Sequence, residues 1–256
     1  MSSNDIITKK IYSILSDNLC YSESEYNSIM SVLQDIKVKY GGNLLEFKSS
    51  SGNSLLLIFE NFVFKIYNKS HRDKIKKEFD VLDKLQDCGC LRILHYMEVP
   101  CIIVFEKLKP LVKCDTLNIE EVKTFIFDIA TSLNCLHSRN CVHRDVAHTN
   151  ICYRDSERKY VLIDFETSID FDTTEEKNLK KEECMYNDVK MFLEDLNANC
   201  RAVNIKNYIS LLLQNLKTTC ETEREIERLF LGRKKIFKYS EIKYIPDTFL
   251  NILHSM

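Results

Sequence analysis

The chain has 256 residues, of which 45% are hydrophobic and 29% are charged, a composition typical of a globular protein. Its length is sufficient for one two-lobed domain. The formal net charge of −2 excludes a strong electrostatic attraction to nucleic acid or to anionic membrane surfaces. No apolar run approaches the roughly 20 residues of a membrane-spanning helix, so no membrane association is expected.

The eleven cysteines raise the question of disulfides or bound metal. Their number is odd, and the polar segment Met1–Lys10 does not resemble a secretory signal. Reduced thiols in the cytoplasm, or in the nucleus, are therefore expected. Cys88-Gly89-Cys90 with His95 would offer zinc ligands, but no second cysteine pair follows at zinc-finger spacing.

The first 36 residues are predicted to be helical. Ile7, Ile11 and Ile14 recur at helical spacing, and Ser22 with Glu25 forms the pattern of a capping box for a second helix. We expect this segment to pack against the part of the protein that follows.

Residues 43–67 are predicted to form three strands, at 44–48, 54–59 and 62–67, joined by short turns. Lys65 is the one charged residue in the otherwise apolar third strand. The lysine either lies at a strand edge with its amine in water or serves a function.

A helix is predicted over 73–85, because Ile75, Phe79 and Leu82 recur on one face. Glu78 lies beside this apolar face. Two further strands are expected at 91–97 and 101–105, and Asn118 is placed to cap a long helix with apolar residues from Val122 to Leu136.

The most informative stretch is Cys141–Glu166. It contains His143-Arg144-Asp145, then Asn150 five residues after the aspartate, and Asp164 after the buried strand 160–163. Each short pattern alone fits an ordinary turn or capping residue. Their combination in this order is much more specific than any one of them.

A polar loop follows this stretch, and a helix is predicted from Tyr186 to about Leu196. Asp188 near its start fits the role of an N-cap. The remainder is expected to form helices at 203–217, at 221–231 and near 247–255.

The His-Arg-Asp, Asn150 and Asp-Phe-Glu patterns resemble the catalytic core of the protein-kinase-like superfamily. The resemblance covers about residues 43–196 and is strongest at 141–166. It implies an α+β, bilobal fold with a small β-rich lobe and a larger, mainly helical lobe. It divides the chain into an N-terminal helical extension (1–36), a nucleotide-binding lobe (37–107) and a catalytic lobe (108–256).

The resemblance also implies roles for the residues of the core stretch. Asp145 corresponds to the catalytic base, with His143 and Arg144 holding its loop. For Asp188 the resemblance implies an anchor for this loop, which is as well supported as the N-cap. Asn150 and Asp164 correspond to the ligands of Mg²⁺, a hard ion that prefers oxygen. The cofactors implied are therefore ATP and Mg²⁺, and the reaction is phosphoryl transfer.

Further residues of the nucleotide site follow from the same resemblance. Lys65 would contact the phosphates and pair with Glu78, which lies 13 residues further along the chain. Val63 would lie over the adenine ring, and backbone groups of Glu106 and Leu108 would bind its edge. The glycine-rich phosphate loop of the family is reduced here to the hairpin turn with Ser51 and Gly52.

Three departures from the family pattern leave the substrate open. Ala147 stands where serine/threonine kinases have lysine, Glu166 replaces the last glycine of Asp-Phe-Gly, and no Ala-Pro-Glu motif follows. A serine/threonine-type kinase acting on a protein is the first interpretation. A small-molecule kinase related to choline and aminoglycoside kinases is the second, and a nucleotide-binding pseudokinase is the third.

Overall fold

The computed structural model describes residues 9–50, 53–111, 117–174, 181–231, 250–251 and 253. The chain forms two compact units. Of the described residues, the first unit contains those up to Gln86 together with Leu91–Leu108, and the second contains Asp87–Cys90 and those from Lys109 onward. The fold is α+β, with a β-rich first unit and a mainly helical second unit, as the sequence predicts.

A five-stranded antiparallel sheet forms the centre of the first unit. Its spatial order is β1-β2-β3-β5-β4. The three predicted strands of residues 43–67 are present, whereas β4 begins two residues later than expected. The strands are β1 (Leu44–Ser50), β2 (Ser54–Phe59), β3 (Phe62–Tyr67), β4 (Ile93–Met97) and β5 (Ile102–Glu106).

An N-terminal helical layer packs against this sheet. Residues 9–13 are helical and continue into a π-helical turn at Ile14–Asn18. Helix α1 (Glu23–Tyr40) then begins with the predicted capping box, in which Ser22 and Glu25 bond to each other's backbone N–H groups. Its apolar face joins one core cluster with the sheet. The buried residues of this cluster include Leu15, Leu19, Ile29, Leu33, Ile36, Phe59, Phe62, Phe64, Ile102 and Val104.

Helix α2 (Arg72–Lys84) lies close to the predicted range and also belongs to the first unit. Its buried residues include the predicted Ile75 and Leu82, and also Val81 and the charged Glu78. The ring of Phe79 stacks on Tyr96 of β4 with centroids 3.9 Å apart. These contacts fix the face of α2 that presents Glu78.

The second unit is built on the long helix α3 (Ile119–Ser138), which starts at a capping box formed by Asn118 and Glu121. Its predicted apolar face is buried from Val122 to Leu136. Small antiparallel sheets also belong to this unit, one of order β6-β8-β9 and one pairing β10 with β7. These strands are β6 (Lys109–Pro110), β7 (Cys141–Val142), β8 (Ile151–Arg154), β9 (Lys159–Leu162) and β10 (Ile169–Asp170).

The last two helices of the described chain differ from the prediction. Helix α4 (Lys181–Asn199) begins before Tyr186, so Asp188 lies within it and the N-cap interpretation is wrong. Helix α5 (Val203–Leu231) is continuous, whereas the sequence suggested two helices. No proline or glycine interrupts 203–231, and polar residues alone do not end a helix. Most of the helix predicted near 247–255 lies outside the described residues.

One disulfide corrects the expectation that all thiols are reduced. Cys88, between α2 and β4 in the sequence, is bonded to Cys135 of α3. The nearby Cys90 is a free, buried thiol, and its burial raises the pKa to about 12, which makes it unreactive. Disulfides are rare in reducing compartments, so the oxidation state of Cys88 and Cys135 bears directly on the predicted cytoplasmic location.

Reduction of this disulfide is expected to lower the free energy of unfolding by about 2–4 kcal/mol, because the bond closes a long loop of the unfolded chain. Urea unfolding with and without reductant measures the difference. The double variant Cys88→Ser/Cys135→Ser is the control, and its stability should not respond to reductant. If alkylation before reduction labels Cys88 and Cys135 as readily as Cys20, the disulfide does not form in solution.

Within the described ranges, no helix combines the length and the apolar character that crossing a membrane requires.

Candidate active site

Lys65 and Glu78 form the ion pair that the sequence predicts. Lys65 on β3 places its Nζ 3.3 Å from Oε2 and 3.5 Å from Oε1 of Glu78 on α2. Lys65 is 7% exposed and Glu78 is 1% exposed, so the lysine is not at a solvated strand edge. A buried charge requires a partner, and each of these two side chains supplies it for the other.

The other predicted nucleotide contacts of the first unit are placed as follows. Val63 is half-buried on β3, and Leu108 is buried at the end of the unit. The N–H of Glu106 donates to the carbonyl of Arg92 at 3.1 Å, so an adenine contact by Glu106 would use its carbonyl oxygen. Ser51 and Gly52 lie outside the described residues.

In the second unit, Asp188 anchors the loop that contains Asp145. The carboxylate is 1% exposed and accepts from the backbone N–H of His143 at 2.9 Å and of Arg144 at 2.7 Å. The Nε2 of His137 on α3 lies 2.9 Å from the same carboxylate. Three donors from two segments therefore converge on one side chain of α4, which matches the anchoring role proposed for Asp188 from the sequence.

His143 joins the loop to the strand that precedes Asp164. The N–H of Asp145 donates to its Nδ1 at 3.2 Å, so this nitrogen carries no proton. The proton is then on Nε2, which lies 3.0 Å from the carbonyl of Ile163. Burial lowers the pKa of His143, which is consistent with a neutral ring. The carbonyl of His143 accepts from the hydroxyl of Thr167 at 3.1 Å. His143 therefore contacts both the loop that contains Asp145 and the segment around Asp164.

Asp145 and Asn150 contact each other directly. The Nδ2 of Asn150 donates to the carboxylate of Asp145 at 2.8 Å and to its backbone carbonyl at 3.0 Å. The carbonyl of Asn150 accepts from the N–H of Ile163 at 2.9 Å. Asp145 is half-buried and is therefore oriented by hydrogen bonds while part of its surface remains accessible.

Two residues of this region have left-handed backbone conformations. Arg144 has φ 71° and Asp164 has φ 65°, and both are exposed. Such angles are uncommon outside glycine and cluster at functional sites. The backbone N–H of Arg144 donates to Asp188. This hydrogen bond helps to hold Arg144 in its left-handed conformation.

Asn150 and Asp164 offer side-chain oxygens, the type of ligand that Mg²⁺ prefers. Because the Nδ2 of Asn150 is used by Asp145, the side-chain oxygen is the atom of Asn150 that would ligate a metal. The exposed carboxylate of Asp164 supplies a second oxygen. Mg²⁺ is usually held by one or two protein oxygens together with phosphates and water, so these two side chains would be enough in number if a nucleotide supplied the other ligands.

Sequence reasoning missed three partners in the two units. His137 on α3 contacts Asp188, and Asp195 on α4 accepts from the backbone of His148 at 2.7 Å and lies 2.8 Å from its Nδ1. Both contacts join residues more than forty positions apart, and no local pattern signals them. The third partner is Tyr67, which contacts both Lys65 and Glu78. It follows Lys65 by two residues on the same strand, and the twofold strand period could have indicated that both side chains lie on one face.

Comparison with known proteins identifies the class to which this arrangement belongs. The profile of the family described as protein tyrosine and serine/threonine kinases matches residues 61–201, more than half of the chain. The match begins just before β3 and ends after α4, and it includes Lys65, Glu78, Asp145, Asn150 and Asp164. The chain belongs to the protein tyrosine and serine/threonine kinase family.

Individual relatives match over short segments. Serine/threonine-protein kinase D of Synechocystis sp. is 44% identical over 46 residues, which are 18% of this chain and 9% of that kinase. Tyrosine-protein kinase sid-3 of Caenorhabditis elegans is 31% identical over 101 residues, 36% of this chain and 8% of that kinase. The matched segments span less than a tenth of each relative.

Proposed function

We propose that this chain transfers the γ-phosphoryl group of ATP to a hydroxyl acceptor, and that the acceptor is a serine or threonine of a protein in the cytoplasm. The observation that carries the proposal is the support given to Asp145. Its carboxylate is oriented by Asn150, and the backbone just before it is anchored on buried Asp188. A carboxylate with this support suits a general base, which must be positioned before its pKa matters.

In the proposed reaction, Asp145 accepts the proton of the attacking hydroxyl. A bond forms between that oxygen and the γ-phosphorus, and the bond from the γ-phosphorus to the β–γ bridging oxygen breaks. Lys65, held by Glu78, neutralises charge on the nucleotide phosphates. Asn150 and Asp164 would hold Mg²⁺, which when bound offsets phosphate charge.

The neutral His143 ring has a positioning role in this proposal. It accepts from the N–H of Asp145 and donates to the carbonyl of Ile163, so it fixes the backbone at Asp145 and at the residue just before Asp164. Arg144, exposed beside it, is proposed to contact the segment that follows Glu166 or a phosphate on it.

Asp164→Asn is expected to remove the Mg²⁺-dependent part of ATP affinity, about tenfold, because the amide is a weaker ligand for a hard cation than a carboxylate. ATP titration with and without Mg²⁺ measures this difference. Asp170→Asn is the control, since Asp170 lies on β10 and its carboxylate accepts from the N–H of Asp172. An Asp164→Asn variant with wild-type Mg²⁺ dependence would refute the metal role.

The acceptor is identified by incubating the purified protein with labelled ATP and either a protein mixture or a set of small alcohols. Label on serine or threonine supports the proposal. Label on small alcohols alone supports the small-molecule kinase interpretation that Glu166 suggests. Mg²⁺-dependent ATP binding without transfer to any acceptor supports the pseudokinase interpretation that Ala147 suggests.

A further inference from the structure

Tyr67 is a third member of the Lys65–Glu78 pair. Lys65 and Tyr67 are two residues apart on β3, so their side chains lie on the same side of the strand. The hydroxyl of Tyr67 donates to Oε2 of Glu78. The Nζ of Lys65 lies 4.6 Å from the centroid of the Tyr67 ring. Tyr67 is fully buried, so its hydroxyl requires a partner within the protein.

The backbone of Tyr67 is itself fixed by two segments. Its N–H donates to the carbonyl of Cys101 at 2.9 Å, and its carbonyl accepts from the hydroxyl of Tyr21 at 2.8 Å. The Tyr21 hydroxyl also accepts from the N–H of Cys101 at 3.3 Å. The N-terminal helical layer therefore connects to Glu78 through a single intervening residue, Tyr67.

The geometry of the ion pair indicates why a third group matters. The two Lys65–Glu78 distances of 3.3 and 3.5 Å exceed the 2.7–2.9 Å that is typical of a charge-assisted hydrogen bond. Lysine is also a flexible point charge that imposes little orientation on a carboxylate. The rigid phenol of Tyr67 supplies that orientation, while its ring provides a cation–π contact for the ammonium group.

We propose that Tyr67 is a positioning residue for nucleotide binding: its hydroxyl orients Glu78 and its ring confines Lys65, so that the lysine amine is held where it meets the phosphates. This inference rests on the proposed function, because it assigns Tyr67 a role in the nucleotide contact of Lys65. A purely structural Tyr67 would affect folding stability without affecting that contact.

The test is Tyr67→Phe, which removes only the hydroxyl. We expect Mg²⁺·ATP affinity to fall by about threefold to tenfold, the net contribution of one ordinary hydrogen bond. In a Lys65→Met background the same change should cause no further loss, because its effect passes through the lysine. The matched control is Tyr96→Phe, since the buried Tyr96 hydroxyl has no hydrogen-bond partner among the described residues. The Mg²⁺·ATP affinity of this control variant should equal that of wild type.

A second measurement does not depend on nucleotide. The rate at which an amine-acylating reagent modifies Lys65, followed by mass spectrometry, should rise by about threefold in Tyr67→Phe and remain unchanged in Tyr96→Phe. If wild type binds no ATP but this increase occurs, the proposed function fails and the positioning of Lys65 by Tyr67 stands. An unchanged acylation rate, or an affinity loss that persists in the Lys65→Met background, would overturn the inference.

Discussion

Asp145→Asn is expected to bind Mg²⁺·ATP as wild type does and to transfer phosphate about two to four orders of magnitude more slowly, the usual contribution of a positioned acid or base. Asparagine has the shape of aspartate, and its side-chain oxygen can still accept from Nδ2 of Asn150. The fold and the loop should therefore remain intact while the proton acceptor is lost. A thermal shift with Mg²⁺·ATP and a phosphoryl-transfer assay on the same sample separate binding from chemistry.

Asp155→Asn is the matched control, because it makes the same chemical change at an exposed turn where Asp155 pairs with Lys109. Its transfer rate should equal that of wild type. Undiminished transfer by Asp145→Asn would show that Asp145 is not the base. If wild type shows the thermal shift but transfers to no acceptor, and Asp145→Asn behaves identically, the chain is a pseudokinase.

Asp188→Ala is expected to lower the free energy of unfolding by about 3–5 kcal/mol. The substitution leaves the N–H groups of His143 and Arg144 and the Nε2 of His137 without their buried acceptor. Each donor left without an acceptor costs about 1–3 kcal/mol. Relaxation of the loop keeps the total loss below three times the largest of these values. Urea unfolding followed by circular dichroism measures the loss.

Glu194→Ala on the same helix is the control, since Glu194 is exposed and pairs only with Lys190 at 3.7 Å in the described structure. Its unfolding free energy should change by less than about 0.5 kcal/mol. A comparable loss in both variants would mean that the effect comes from helix α4 in general. Equal stability of Asp188→Ala and wild type would contradict the anchoring role.

The parts that the sequence predicted correctly depend on local rules. Alternation and apolar runs located β1 to β3, and the capping pattern of Ser22 with Glu25 located the start of α1. The ion pair of Lys65 with Glu78, which the family resemblance implied from their 13-residue separation, is present. The stretch 141–166 was also informative, since several of its residues contact one another within a short segment.

The parts that it missed depend on distant contacts. The meeting of His137 with Asp188, and of Cys88 with Cys135, requires the packing of helices that are far apart in the chain. Continuity of α5 was missed, although no proline or glycine separates the two helices that were predicted. The roles of the site residues, including Val63, Glu106, Leu108, Ser51 and Gly52, remain predictions.

The helical layer over the sheet has a consequence for how the chain is cut into domains. The family profile begins at residue 61, yet Phe62, Phe64, Ile102 and Val104 on the remaining strands share their core with α1 and the turn before it. A fragment trimmed to the profile would lose β1, β2 and that layer, and these four side chains would face water. The segment that matches the family is thus smaller than the unit that folds. A protease that removes the first 40 residues would expose apolar side chains of the sheet, and the product would tend to aggregate.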